Sequence, residues 1–117
     1  MSQVEESWWD RHHRLYGYKQ STWWAQMPIE ERITMVADVI EGGAIPVFCS
    51  WGGNALWGRG ATHQDVADCV VALLDRNDTK VVEWFDWLQS FRGDGEDNQR
   101  MVRERGPRAW LMSLDSI

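Results

Sequence analysis

The chain has 117 residues, of which 26% are charged and 44% belong to the hydrophobic set, and its formal net charge is −6. These are the proportions of one globular domain, 1–117, long enough to hide about two thirds of the surface its unfolded form would expose. The acidic balance argues against direct nucleic-acid binding through a basic surface. No apolar run approaches the roughly 18 residues of a membrane helix, and two cysteines, Cys49 and Cys69, are too few for a disulfide-dense secreted class.

The stretch "MSQVEESWWDRHH" is acidic and lacks the basic start and apolar centre of a signal peptide, so the expected location is cytoplasmic. "ESWWDRHHRLYG" predicts a helix with Trp8, His12, Leu15 and Tyr16 on one face, stopped at Gly17. Of the adjacent rings His12 and His13, one is expected to pack and the other to stay wet. "PIEERITMVADVIEGG" predicts a second helix. Pro28 suits its first position, and Glu30 and Glu31 suit the positive end of the helix dipole. Ile29, Ile33, Val36, Ala37 and Ile40 form its apolar face, and Gly42 is expected as a left-handed cap. "AIPVFCSW", 44–51, is the only strand-like run.

"THQDVADCVVALLDRN" predicts a third helix, capped by Thr62 with Asp65 capping back, and with Val66, Val70, Leu73 and Leu74 inward. Asn77 and Asp78 break and restart the chain. "DTKVVEWFDWLQSF" follows with Val81, Trp84, Phe85 and Leu88 inward, making 62–92 a tight helical hairpin. "RGDGED" reads as a polar loop, and "EDNQRMVRERG" and "PRAWLMSL" as short helical pieces split at Gly106-Pro107. The expected fold is mainly α: a compact bundle of four to five helices with one short extended, glycine-rich segment, 44–61.

That segment contains "CSWGGNALWGRG", Cys49 to Gly60, which invites comparison with a phosphate loop. Gly53 and Gly58 have the right spacing. The chemistry departs from the motif, because Arg59 and Gly60 stand where it needs lysine and a magnesium-binding hydroxyl. The loop reads better as a connector turning on "WGGN", or as a recognition loop displaying Trp57.

Reactive chemistry is poorly provided for. His12, His13, Cys49, His63 and Cys69 match no zinc spacing, and His63 and Cys69 diverge around one helix. Cys49 with His63 and Asp65 is the only nucleophilic triad that can be composed, and His63 and Asp65 point different ways. Cys69 sits on a Val-rich face as a small hydrophobe. No catalytic residue, cofactor or metal is expected.

Nine tryptophans stand out. Trp84 and Trp110 are expected in the core. Trp8-Trp9 and Trp23-Trp24 are adjacent pairs, and neighbours on a helix diverge by about 100°. Trp9, one of Trp23 and Trp24, and Trp87 are therefore expected at the surface, where tryptophan serves as a binding anchor. From Thr62 to Asp97 nine acids face three bases, which carries the whole net charge, while four arginines face two acids from Asn98 onward. The acidic stretch either pairs with the basic tail or meets a basic partner.

The candidate partner-binding residues are Trp9, Trp23, Trp24, Trp57, Asp65, Asp68, Asp75, Asp86 and Trp87. The expected function is a non-enzymatic module binding a larger protein or complex with a basic surface, without membrane or nucleic acid. In type it compares with small acidic inhibitors of nucleic-acid-processing or defence complexes, such as phage anti-CRISPR or anti-restriction proteins. The alternatives are a homo-oligomeric assembly protein, and a small-ligand binder or minimal enzyme at Cys49–Gly60.

Overall fold

The structure is a computed structural model that describes residues 5–42, 56 and 58–114. Seven α-helices are described: α1 (Trp8–Tyr16), α2 (Trp23–Gln26), α3 (Ile29–Glu41), α4 (His63–Asp75), α5 (Thr79–Phe91), α6 (Gly95–Arg105) and α7 (Pro107–Ser113). The chain is mainly helical as expected, with more helices than the four to five anticipated. No strand occurs among the described residues, and the expected extended run 44–51 lies outside them. None of the helices is long and apolar enough to cross a membrane.

Side chains that satisfy the first backbone N–H groups set the helix starts. Ser7 Oγ accepts from the Asp10 N–H at α1. Thr62 and Asp65 form a reciprocal capping box at α4. Asp78 caps α5, with Asn77 at φ 57° making the reversal between the two helices. Asp94 accepts from the N–H groups of Glu96 and Asp97, so α6 begins at Gly95, inside the stretch expected to be loop.

Three local expectations are corrected. Pro28 precedes the first helical residue of α3, because its ψ of 153° is extended. Gly42 has φ −74°, so α3 ends without a left-handed cap. Ile29, the first residue of α3, is exposed, whereas Ile33, Val36 and Ile40 are buried.

The core is built where α3 lies on α4, α4 on α7, and α5 on α3 and α6. Trp110 of α7 is 1% exposed and meets Phe85 of α5 edge-on, with ring centroids 5.5 Å apart. Its Nε1–H donates to Asn98 Oδ1 on α6 at 3.0 Å. Asn98 Nδ2 in turn donates to the carbonyls of Gln89 (2.7 Å) and Arg92 (3.0 Å), tying α6 to the end of α5. His63 Nε2 donates to the Leu111 carbonyl at 2.7 Å and fastens α4 to α7.

Candidate protein interface

Trp23 and Trp24 are 0% and 3% exposed, so the expectation that one of them would face solvent is overturned. Their rings do diverge, but each direction is covered. Trp23 is enclosed by α1, with ring centroids 5.3 to 6.3 Å from those of Trp8, Trp9, His12 and His13, and donates its Nε1–H to the Gly17 carbonyl at 2.9 Å. Trp24 lies under the Arg32 guanidinium, 5.5 Å from its ring centroid. A single-turn helix can bury adjacent rings when chain passes on both sides of it.

One of those covering pieces is the end of the glycine-rich segment. Leu56 is buried, and the Arg59 carbonyl accepts from the Trp24 N–H at 2.8 Å. The Arg59 guanidinium stands 4.7 Å from the Trp8 ring centroid and 5.8 Å from that of Trp23. Burial lowers its pKa from the ordinary value. Arg59 thus fastens this end of the segment to the N-terminal aromatic cluster. Trp57 and Cys49 lie outside the described residues.

The same cluster presents the partly exposed Trp8 (46%) and Trp9 (42%). Trp8 and Leu15 were expected on one face with His12 and Tyr16. Of that predicted face His12 alone is buried, with Tyr16 partly so, because α1 packs through a narrow strip onto α2.

A second aromatic surface lies on α5. Trp87 (37% exposed) and Phe91 (54%) are one turn apart and stack, with ring centroids 4.6 Å apart and planes 20° from parallel. Glu83, at i−4 from Trp87, shares this side of the helix, and Asp86, at i−1, lies about 100° around it on the adjoining flank. Both are exposed, and neither makes an ion pair among the described residues.

The remaining acidic candidates separate by local role. Asp65 is committed to the capping box of α4. Asp68 pairs with Arg108 of α7 at 2.6 Å, so the acidic stretch and the basic tail do meet at that point. Asp75 is exposed at the end of α4. Asp65 and Asp68 thus have partners within the chain, whereas Asp75 and Asp86 make no ion pair among the described residues.

Sequence reasoning missed the arrangement where α1 meets α3. Glu31 accepts from Arg11 NH1 at 2.8 Å and from the Tyr16 hydroxyl, and its Oε1 lies 3.6 Å from His12 Nε2. Burial alone would raise the Glu31 carboxyl. The hydrogen bonds from Tyr16 and Arg11 outweigh it, and the carboxyl stays below its ordinary value. Burial, and then the bond to Glu31, push the Tyr16 phenol up to about 12. In the sequence Glu31 was fully accounted for by its place in a first helical turn, so nothing there marked it as a hub.

No group of three or more His, Cys, Asp or Glu side chains among the described residues is placed to hold a metal ion. Cys69 is buried, and desolvation, then the nearby Asp65 charge, push its thiol up to about 11. No family model matches the chain, and no similar protein was found among curated sequences or solved structures.

Proposed function

We propose that the protein is a non-enzymatic binding module that sets the outer face of α5 against a basic surface of a larger protein or complex. The observation that carries this reading is the stacked, exposed Trp87–Phe91 pair with Glu83 one turn before Trp87 and Asp86 exposed on the adjoining flank of the helix. An arginine or lysine of a partner can pack its stem and charge on the rings and reach a carboxylate at the same time. Trp9 and Asp75 lie outside this patch and serve at most as further contacts. Within this reading, inhibition of a nucleic-acid-processing or defence complex is the biological role that suits a small acidic binder.

The test is capture of partners on the tagged protein at low and then high salt, comparing wild type with Trp87→Ala/Phe91→Ala and Glu83→Lys/Asp86→Lys. A stoichiometric basic partner that leaves at high salt and is lost with both variants is the expected result. A partner retained by both folded variants would place the interface elsewhere. A light-scattering mass that doubles with concentration, and stays monomeric in the aromatic variant, would assign the face to a second copy of the chain.

A further inference from the structure

We infer that the cleft between α1 and α3 is a binding site for a guanidinium or alkylammonium group, received by His12, Glu31, Thr34 and Asp38. The inference concerns a different face from α5 and does not rest on the proposed function.

The cleft has a volume of about 370 Å³ and is walled by Trp8, Arg11 and His12 of α1 and by Glu31, Thr34 and Asp38 of α3. That is within the usual range for small-ligand sites. On α3 the spacing 31, 34, 38 sets its three residues along one side of the helix.

Apart from Arg11, the walls offer mainly acceptors. His12 Nδ1 lies 2.7 Å from the Trp8 carbonyl, which can only accept, so Nδ1 carries the proton. The other ring nitrogen, Nε2, faces Glu31. His12 is 1% exposed, and its Nε2 has no hydrogen-bond partner. The gap to Glu31 Oε1 is 3.6 Å, too long for a hydrogen bond. Thr34 already donates its hydroxyl hydrogen to the Glu30 carbonyl at 2.9 Å, which leaves it an acceptor. Asp38 is exposed and makes no ion pair among the described residues. The walls therefore offer acceptors from Glu31, Thr34 and Asp38, with the unpartnered Nε2 of His12 beside them.

The donor side is supplied by Arg11, whose NH1 is held by Glu31 at 2.8 Å and whose side chain is 47% exposed. Arg11 shows which group the floor of the cleft accepts. An anion would meet the single charge of Arg11, itself held by Glu31, against the two carboxylates of Glu31 and Asp38. A cation with several N–H donors satisfies the Thr34 and Asp38 acceptors and shares Glu31 with Arg11. When the half-exposed Arg11 swings aside, it also comes beside the unpartnered Nε2 of His12.

The same chemistry comes from a free amine or guanidine, or from an arginine or lysine side chain of a protein. The experiment is an amide and indole NMR titration of the full chain with methylguanidinium, with an amidated Gly-Arg-Gly peptide, and with tetramethylammonium, a cation without N–H donors. Methylguanidinium is expected to give saturable shifts at the Trp8 indole, Thr34 and Asp38. Asp38→Asn and Thr34→Val, both at exposed positions, should each weaken it by about tenfold, as for loss of one hydrogen bond to a charged group. Tetramethylammonium should give no saturable response. A peptide that binds more tightly than methylguanidinium assigns the site to a protein side chain, and an equal or weaker one assigns it to a free small cation. Unsaturable shifts spread over all acidic surfaces, unchanged affinity in both folded variants, or equal binding of tetramethylammonium would each overturn the inference.

Discussion

Replacing Gly60 by alanine tests how the glycine-rich segment is attached to the helical body. Gly60 has φ +94°, and a Cβ there would lie 2.5 Å from the Ser21 carbonyl oxygen and 3.4 Å from its carbon. Both are backbone atoms, so no side-chain rotation relieves the contact. The left-handed conformation costs a non-glycine residue about 1–3 kcal/mol, and forcing an extra carbon into a packed contact costs roughly another 1–3 kcal/mol. Gly93 has φ +96° with nothing within 4 Å of the corresponding Cβ, so Gly93→Ala measures the conformational part alone. Urea unfolding followed by far-UV circular dichroism should show both variants destabilised with unchanged m-values. Gly60→Ala should be the worse by about 1–3 kcal/mol, the clash contribution. If the two variants fall within about 0.5 kcal/mol of each other, the 58–61 turn does not lie against Ser21. The attachment of Arg59 to Trp8 and Trp24 would then fail with it.

Trp23→Ala should cost about 3–5 kcal/mol by denaturant unfolding, as for a fully buried aromatic, whereas Trp9→Ala should change stability by less than about 1 kcal/mol. Tyr16 makes stability fall at high pH. Its phenol ordinarily titrates at 10.0 but at about 12 in the fold, so its contribution is complete below pH 10 and is lost as pH rises through about 12. Tyr16→Phe should flatten the decline of Tm over that window, and an unchanged slope would mean the hydroxyl is not held by Glu31. A double-mutant cycle on Asp68 and Arg108 should give a coupling of less than about 1 kcal/mol, because both side chains are half exposed. Cys69 should resist a thiol reagent in the native state and react only as fast as the chain unfolds, and rapid labelling would contradict its burial.

The helices that carry strong local signals were legible in the sequence. α4 and α5 were marked by Thr62 with Asp65, by Asn77-Asp78, and by apolar residues at helical spacing, all of which act within a few residues of one another. α2 was not legible. Four residues are too few for a periodic pattern, and a single turn has little stability without tertiary cover. Its tryptophans are buried by α1, Arg32 and residues 58–61, none of which is adjacent to it in a periodic pattern. The α1–α3 cleft was hidden for a related reason. Its contacts join Glu31 to Tyr16 and Arg11, 15 and 20 residues away. The outward face of α5 was half legible: Trp87 was placed away from the core, but Phe91 was not recognised as its stacking partner.

The two aromatic surfaces differ in what a partner would gain from them. Trp8 and Trp9 are partly exposed, but both rings also cover Trp23, and Trp8 carries Arg59 as well. A partner that drew them outward would uncover the core. Trp87 stacks only on Phe91 among the described rings, and the Arg92 guanidinium stands 6.0 Å from the Phe91 ring centroid, so the pair shields no buried ring as Trp8 and Trp9 do. With aromatic side chains exposing about 200–250 Å² when free, the remaining exposed parts of the pair amount to about 200 Å². At about 25 cal/mol per Å², covering them is worth roughly 5 kcal/mol before the costs of association. That is enough for an anchor and too little for tight binding alone. The remainder has to come from Glu83 and Asp86 meeting cations of the partner, and for this reason salt sensitivity and loss of affinity in the aromatic variant should appear together in the same complex.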